Sequence, residues 1–305
     1  MSEEIKTVAM IGAGFMGRQI AAWTAAHGYA LCIYDNSPEA LGKAKESVTQ
    51  TVKSHFEEKH VEGNANEVLK KIKYHDKLSK AAAGADLILE AVPEDLELKK
   101  KVFAQIDRAA PLHAIIATNS SSIPISRLEG SVERKDKVLN IHFYPPINQR
   151  PMADIMRGTK TSSETFEKGK AWVESIDCVP LVVQKECIGF VFNRVWRAVK
   201  KECLKIWAGG YADFRDLDRG WRIGTGSNMG PFALMDMVGL DVVYDIEMLY
   251  YKESGNPDDL PPQALKDMID RGELGMKSGK GFYDWKGPHE FASPDFIKPK
   301  KRKQH

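Results

Sequence analysis

The chain lacks most of the features that mark secreted, metal-binding or membrane proteins. Its 305 residues show no apolar run near the roughly 18 residues of a membrane-spanning helix. The start, Met1-Ser2-Glu3-Glu4, has no basic and apolar leader. The four cysteines form no close pairs of the kind that bind zinc or carry out redox chemistry: Cys32, Cys178, Cys187 and Cys203. We therefore expect buried thiols, no metal site and a reducing cytoplasmic location.

A strong charge of either sign is also missing. The 44 lysines and arginines nearly balance the 42 aspartates and glutamates, which leaves a net charge of +2. This balance gives no reason to expect nucleic acid or a membrane surface as a partner. The local exception is the basic tail that begins at Lys298. We interpret the tail as a solvated, disordered end; a targeting or polyanion-binding segment is the alternative.

The predicted elements divide the chain into two domains, 1–187 and 188–305, with the boundary near Cys187-Ile188-Gly189. In the first domain, alternation of strands and helices predicts a parallel sheet covered on both faces. The charged segment from Pro38 to Lys73 has helical spacing and predicts a helical excursion out of that sheet. The second domain shows only helical patterns. The predicted strands are 7–11, 31–34, 86–92, 114–118, 138–143 and 180–183, and the predicted helices are 18–27, 96–109, 190–208, 232–251 and 263–271.

The first predicted strand leads directly into a glycine-rich turn. Gly12 permits a tight turn, Gly14 lets a pyrophosphate approach the backbone, and Gly17 lets the next helix pack closely. The N-terminus of that helix favours an anion. Asp35, at the end of the next strand, is placed to accept from a ribose 2′-hydroxyl and would repel a 2′-phosphate. The pattern predicts an NAD site rather than an NADP site; a glycine-rich turn without a ligand is the alternative.

Hydride transfer to NAD requires a base that removes a hydroxyl proton. Of the eight histidines, His142 follows an apolar strand pattern, which places it near the carboxyl edge of the sheet, where ligands of such folds bind. Asp154, 12 residues downstream, could return beside it and fix its tautomer. A structural histidine and a surface carboxylate are the alternatives at these two positions.

Two further polar residues are candidates for holding the reacting oxygen. Ser121 lies in the cluster Asn119-Ser120-Ser121-Ser122 after a predicted strand, and Asn193 lies at the start of the second domain. Both side chains can hydrogen-bond an oxygen that alternates between alcohol and ketone. The alternatives are a capped turn for the serine cluster and a helix-start residue for Asn193.

Several short motifs follow one another in a recognisable order along the whole chain. The stretches are 12–17 (GAGFMG), 119–122 (NSSS), 142–143 (HF), 189–194 (GFVFNR), 229–232 (MGPF) with Asp236, 239–241 (GLD) and 277–283 (KSGKGFY). Together they resemble the L-3-hydroxyacyl-CoA dehydrogenase family. This resemblance implies a Rossmann-type doubly wound α/β sheet with a helical hairpin excursion, followed by an all-helical C-terminal domain through which the chain forms a homodimer.

The resemblance also implies a role for individual residues. His142 matches the family's base, while Ser121 and Asn193 match the residues that hold the substrate oxygen. In the helical excursion, Thr51 matches a hydroxyl that contacts coenzyme A. The predicted cofactor contacts are Gly12, Gly14, Phe15, Met16, Gly17, Asp35 and Asn119, with Glu94, Lys99 and Lys277 on the nicotinamide side.

Three departures bear on the substrate. Asp154 replaces the family's glutamate, so its contact with the histidine must be re-spaced or bridged by water. Pro145 replaces the asparagine of the His-Phe-Phe-Asn-Pro run. Glu58 stands where a lysine meets the coenzyme A phosphate, although the adjacent Lys59 offers a substitute.

Two stretches are more similar to relatives that oxidise free hydroxy acids, such as L-gulonate 3-dehydrogenases of the lambda-crystallin type. They are 92–101 (VPEDLELKKK) and 151–154 (PMAD). Arg150, beside the second stretch, could bind a substrate carboxylate in a bidentate fashion; a surface arginine is the alternative.

These observations lead to one principal hypothesis: reversible, NAD-dependent oxidation of a 3-hydroxyacyl-CoA of the 3-hydroxybutyryl-CoA kind. His142 would act as base and Asp154 would orient it. The second hypothesis keeps the fold and takes a free or ring-bearing β-hydroxy acid as substrate. The third is a non-catalytic, NADH-binding structural protein. Dehydrogenases of the 6-phosphogluconate type share the glycine turn but use a lysine as base, so the serine, histidine and asparagine motifs argue against them.

Overall fold

The computed structural model describes residues 4–58, 64–287 and 290–298. The chain divides into two compact units, Met1–Phe192 and Asn193–His305. The domain boundary proposed from the sequence, between residues 187 and 188, stays a prediction. None of the helices in the described ranges is both long and apolar enough to cross a membrane.

In the described part of the first unit, the strands form one eight-stranded sheet in the order β3-β2-β1-β4-β5-β6-β7-β8. Neighbouring strands are parallel except for the antiparallel pair β6 and β7. The strand order reverses between β1 and β4, and ligands of doubly wound sheets bind at such a point, outside the carboxyl ends of the strands. The strands are β1 (Thr7–Ile11), β2 (Ala30–Tyr34), β3 (Ile72–His75), β4 (Leu87–Glu90), β5 (Ile115–Thr118), β6 (Val138–Phe143), β7 (Met152–Arg157) and β8 (Val179–Val183).

Helices cover both faces of this sheet, which confirms the predicted doubly wound arrangement. On one face, Trp23, Val52 and Trp172 from three different helices pack into one apolar cluster with the sheet. On the other face, Leu78 and Phe103 belong to a second cluster. The central strands β4, β5 and β6 are buried along their whole length, as strands covered on both sides must be. The helices of this unit are α1 (Phe15–Ala26), α2 (Pro38–Glu58), α3 (Ala65–Lys70), α4 (Leu78–Ala82), α5 (Leu96–Ala109) and α6 (Ser163–Ser175).

The second unit is helical, as predicted. Its core is rich in aromatic side chains, with Trp207, Phe214 and Phe282 packed around the fully buried Phe232. Asp218 is also fully buried and accepts hydrogen bonds from the first-turn N–H groups of Phe232 and Ala233, at 2.8 and 3.0 Å. The helices are α7 (Phe192–Ala208), which begins at the last residue of the first unit, α8 (Phe214–Thr225), α9 (Pro231–Val238), α10 (Leu240–Ser254) and α11 (Gln263–Asp270).

The structure corrects four element predictions. The helical excursion does not continue to Lys73, because Ile72–His75 forms the edge strand β3 beside β2. The sheet is not purely parallel, because Met152–Arg157 forms an unpredicted strand, β7, antiparallel to β6. The predicted helix 232–251 is two helices, since Gly239 adopts a φ of +103° and ends α9. Three helices were not predicted from the sequence: α4, α6 and α8.

Candidate active site

The glycine turn after β1 contains two glycines that the fold itself requires. Gly12 has a φ of +102°, and a Cβ atom there would lie 2.7 Å from the Ala91 carbonyl oxygen. A Cβ atom on Gly17 would lie 1.9 Å from the carbonyl oxygen of Gly12. Any side chain at these positions would therefore distort the turn or displace α1.

Gly14 differs from both, because among the described residues no atom from another part of the chain lies within 4 Å of the position its Cβ would take. It is exposed and precedes the first residue of α1, with no side chain capping the first-turn N–H groups. Those N–H groups and the positive end of the helix dipole are consequently available to an anion. Next to it, Phe15 is 59% exposed, whereas Met16 is half-buried against the core.

Asp35 lies just beyond β2 and holds the turn in place. One carboxylate oxygen accepts from the Ala13 N–H at 2.7 Å and the other from the Ser37 N–H at 2.8 Å. Each oxygen keeps a lone pair for a further donor, such as a ribose hydroxyl. The open space at Gly14, the uncapped helix and this half-buried carboxylate fit a dinucleotide whose ribose bears a free 2′-hydroxyl.

His142 and Asp154 face each other across the antiparallel pair β6 and β7. They are directly opposed in the register, so their side chains project from the same face of the sheet. The distance from His142 Nδ1 to Asp154 Oδ2 is 3.6 Å, which is too long for a hydrogen bond. Nδ1 is buried and has no hydrogen-bond partner among the described residues. The imidazole retains 8% of its side-chain exposure, and Asp154 is fully buried.

Aromatic rings enclose this pair, and sequence reasoning missed them. Phe190 stacks on the imidazole with ring centroids 5.0 Å apart and planes inclined by 5°. Tyr144 meets the same imidazole edge-on at 4.6 Å, and its hydroxyl donates a hydrogen bond to Asp154 Oδ2. The spacing of two residues between His142 and Tyr144 was the available signal, because residues two apart on a strand share a face.

The serine loop after β5 is fixed by its neighbours and leaves Ser121 exposed. Glu94 accepts from the hydroxyl of Ser120 at 2.5 Å and from the hydroxyl and N–H of Ser122 at 2.8 and 3.0 Å. Asn119 Oδ1 accepts from the Phe143 N–H at 2.9 Å, which ties the loop to the residue after His142. Burial opposes ionisation of Glu94, but the Ser120 hydrogen bond, the Lys99 charge and Ser122 outweigh it and hold its pKa below the usual value.

Lys99 was predicted on the nicotinamide side. Its side chain is 1% exposed, and its ammonium group is bound by other groups of the protein. Its ammonium donates to Glu90 Oε1 at 2.7 Å and to the Val92 carbonyl at 3.1 Å, and it lies 3.3 Å from Glu94 Oε2. Glu90, which sequence reasoning did not single out, also accepts from the Thr118 hydroxyl at 2.7 Å. Burial raises the pKa of Glu90 in spite of Lys99 and these hydrogen bonds.

The remaining predicted residues are Thr51, Lys59 and Arg150 in the first unit and Asn193 and Lys277 in the second. Thr51 is half-buried on α2, and Lys59 lies outside the described residues. Arg150 is exposed, and its Nη1 donates to the Pro145 carbonyl at 3.3 Å. In the second unit, Asn193 is half-buried near the start of α7, and Lys277 Nζ donates to Asp241 Oδ2 at 2.5 Å. No metal-binding cluster of His, Cys, Asp or Glu occurs within 4–58, 64–287 and 290–298.

Comparison with known proteins covers both units. Residues 7–187 match the family model of the 3-hydroxyacyl-CoA dehydrogenase NAD-binding domain. Residues 189–285 match the model of the C-terminal domain of the same enzymes.

Individual relatives match over nearly their full length. The mitochondrial hydroxyacyl-coenzyme A dehydrogenase of Rattus norvegicus is 31% identical over 92% of each chain. The solved (S)-3-hydroxybutyryl-CoA dehydrogenase of Ralstonia eutropha is 30% identical with a TM-score of 0.86, covering 93% of this chain and 100% of that one. A solved diketoreductase, described as acting on dicarbonyl compounds, is 35% identical with a TM-score of 0.81, covering 92% of this chain and 99% of that one.

The fold, the turn that fits NAD and these matches agree with the resemblance found in the sequence. The chain belongs to the 3-hydroxyacyl-CoA dehydrogenase family and is an NAD-dependent oxidoreductase.

Proposed function

We propose that the protein catalyses the reversible oxidation of a 3-hydroxyacyl-CoA of the 3-hydroxybutyryl-CoA kind to the 3-ketoacyl-CoA. The observation that carries this proposal is the buried His142–Asp154 pair, in which Nδ1 faces a carboxylate without forming a hydrogen bond. A histidine held in this way has its other ring nitrogen, Nε2, available for a substrate hydroxyl. The Ralstonia relative, named for 3-hydroxybutyryl-CoA, supports the choice of substrate.

In the proposed reaction, bound NAD supplies the acceptor for the hydride that leaves C3. His142 Nε2 takes the hydroxyl proton as the C3–O bond becomes a carbonyl, and in the reverse direction it returns that proton. Asp154 stabilises the imidazolium that forms, because its carboxylate faces Nδ1. Ser121 donates to the reacting oxygen from its exposed position on the serine loop. The Asn193 amide is assigned the same role by the resemblance alone.

The test is NADH formation at 340 nm with 3-hydroxybutyryl-CoA, followed for the purified protein and for His142→Ala. The matched control is His113→Ala, because His113 also pairs with an aspartate, Asp86, at 3.0 Å, but does so on the surface. We expect turnover by the unaltered protein and by the control only. Equal turnover by His142→Ala, or none by the unaltered protein on any hydroxyacyl-CoA, would overturn the proposal.

A second candidate substrate is a free β-hydroxy acid or dicarbonyl compound. It is favoured by the diketoreductase relative and by the exposed guanidinium of Arg150 in the loop after Tyr144. If Arg150 binds a carboxylate, Arg150→Ala should raise KM for free 3-hydroxybutyrate about tenfold and leave KM for the thioester unchanged. Arg108→Ala, which removes another exposed arginine, serves as control.

We also infer a homodimer formed through the second unit. Val242, Ile246 and Leu249 are exposed apolar residues at helical spacing on α10, with 41, 37 and 40% exposure. Such a stripe is typical of an interface rather than of a solvated surface. Light scattering should give twice the chain mass of 34.1 kDa, and Ile246→Asp should shift the protein towards the monomer. A cytoplasmic location stays a prediction from the sequence.

A further inference from the structure

The end of strand β6 places a second polar side chain beside the catalytic pair. Tyr144 is the first residue after β6 and follows His142 by two positions, and its ring meets the imidazole edge-on at 4.6 Å. Asp154 is directly opposite His142 on β7 and therefore diagonal to Tyr144. One carboxylate thus lies within reach of both a phenol and an imidazole.

Among the described residues, few groups donate hydrogen bonds to Asp154. It is fully buried, and an ionised buried carboxylate is costly unless hydrogen bonds compensate. The Val191 N–H approaches Oδ1 only at 3.4 Å, and His142 Nδ1 stays 3.6 Å from Oδ2. The Tyr144 hydroxyl donates to Oδ2 directly and is the principal donor to this carboxylate.

Aromatic contacts hold both Tyr144 and His142 in place. The Phe192 ring packs edge-on against Tyr144, with ring centroids 5.2 Å apart. The Phe190 ring stacks on His142, with ring centroids 5.0 Å apart. Both contacts lie within the first unit. The phenol is therefore held between an aromatic ring and the imidazole, and its hydroxyl fixes the position of Oδ2 facing Nδ1.

We propose that Tyr144 is a positioning residue of this enzyme: its hydroxyl holds the Asp154 carboxylate against His142, so that the imidazolium formed during proton abstraction finds its counter-charge already in place. This proposal rests on the proposed function only in naming His142 as the base. Tyr144 touches neither substrate nor cofactor in this role and acts solely through Asp154.

The first test is Tyr144→Phe, which removes the hydroxyl and keeps the ring contacts. We expect kcat to fall about tenfold, while KM for the substrate and the Kd for NADH stay within about twofold. Tyr29→Phe is the matched control, because the Tyr29 hydroxyl also makes a hydrogen bond, to Ser175 at 2.5 Å, but outside the active site. An unchanged kcat in Tyr144→Phe, or an equal fall in Tyr29→Phe, would overturn the proposal.

Combined variants test whether Tyr144 acts through Asp154. In Tyr144→Phe/Asp154→Glu, the extra methylene can bring the carboxylate to Nδ1 without the phenol, so kcat should recover at least half of the loss. In the Asp154→Asn background, removing the hydroxyl should cause no further fall. A multiplicative loss there, or no rescue by glutamate, would show that Tyr144 acts in another way.

A spectroscopic test separates this proposal from the choice of substrate. Long-range ¹H–¹⁵N correlation spectra of ¹⁵N-histidine-labelled protein report the ring nitrogens directly, and His142→Gln assigns the signals. Tyr144→Phe should move the His142 Nδ1 resonance, and Tyr29→Phe should not. If Nδ1 moves but no hydroxyacyl-CoA is turned over, the positioning role stands and the proposed function fails; if Nδ1 does not move, the positioning role fails.

Discussion

Two buried pairs, each of a basic and an acidic residue, in the first unit show opposite hydrogen-bonding patterns. Lys99 and Glu90 are in direct contact at 2.7 Å, and their remaining capacity is used by Val92, Glu94 and Thr118. His142 and Asp154 are 3.6 Å apart, and the imidazole Nδ1 has no hydrogen bond in the described structure.

We interpret the difference as that between a structural pair and the proposed reactive pair. In a saturated network every polar group is satisfied, so the network rigidifies the serine loop but has no site for a new proton or ligand. An unsaturated histidine can change its protonation state without breaking an existing bond, which is what a base must do. The following predictions test this contrast, beginning with the largest expected effect.

Replacing His142 should remove activity and spare stability. His142→Gln should lower kcat by about 10³-fold, because no other base faces the substrate oxygen in the proposed mechanism. The free energy of unfolding should fall by only about 1 kcal/mol, because the ring contacts with Phe190 and Tyr144 are lost but Nδ1 makes no hydrogen bond among the described residues. Steady-state kinetics and urea denaturation measure the two effects, and a large loss of stability would make His142 a structural residue.

Breaking the hydrogen-bonded pair of Lys99 and Glu90 should mainly lower the stability of the protein, whereas replacing His142 should mainly lower its activity. Lys99→Met leaves Glu90 buried without its cation and should lower the free energy of unfolding by about 3 kcal/mol. Lys100→Met, which breaks the surface pair with Glu97, should cost less than about 0.5 kcal/mol. Equal stabilities of the two variants would contradict the contrast.

The loss in Lys99→Met should also depend on pH. Burial already raises the pKa of Glu90 above its ordinary value of 4.5, and removing Lys99 raises it further. The folded variant then holds a proton that the unfolded chain has released, so its stability falls as pH rises above about 4.5. Urea midpoints measured for both proteins between about pH 4.5 and 8 should diverge as pH increases; parallel curves would show that Glu90 does not take up the proton.

The glycine turn shows a similar contrast, here between a glycine with free space around it, Gly14, and one packed against the backbone, Gly17. Gly14→Ala should fold normally, because its Cβ would contact no other segment of the described chain, and should weaken NADH binding about 30-fold by obstructing the pyrophosphate. Gly17→Ala should destabilise the fold instead, because its Cβ would meet the Gly12 carbonyl. NADH fluorescence titration and thermal unfolding distinguish the two; unchanged NADH binding in Gly14→Ala would place the pyrophosphate elsewhere.

The smallest effect concerns two buried threonines. Thr118→Val removes both the hydrogen bond donated to Glu90 and the one accepted from the Ser120 N–H, and should cost about 1.5 kcal/mol. Thr24→Val should be neutral or stabilising, because the fully buried Thr24 hydroxyl has no hydrogen-bond partner in the described residues. Chemical denaturation of both variants checks the difference, and a comparable loss in Thr24→Val would contradict it.

Sequence patterns correctly predicted the strands and helices whose formation depends on residues within a single segment. The strand β1 and the helix α5 have the predicted bounds, because alternation and amphipathic spacing lie within single segments. The strands β3 and β7 were missed, because a short stretch becomes a strand only when a neighbour supplies its hydrogen bonds. The single helix predicted over 232–251 was wrong, because Gly239 adopts a conformation that no propensity rule required.

In the candidate site, too, features set within one segment were predicted, and features that depend on contacts between segments were not. His142 and Asp154 were selected from strand position and spacing, and the register of β6 and β7 places them opposite each other. The tyrosine hydroxyl on Asp154 and the Phe190 ring on His142 were not foreseen, since both depend on how distant segments return. Lys99 was assigned to the cofactor by resemblance, but only packing shows that its ammonium is occupied by protein groups.

The sequence by itself determined the family, the cofactor and the two-part architecture, because glycines, acids and apolar periodicities act over a few neighbouring residues. Only the tertiary structure decided which buried charges are satisfied and which remain available. Hydrogen-bond saturation depends on distances between segments tens of residues apart, and a difference of about 1 Å separates a bonded pair from an unbonded one.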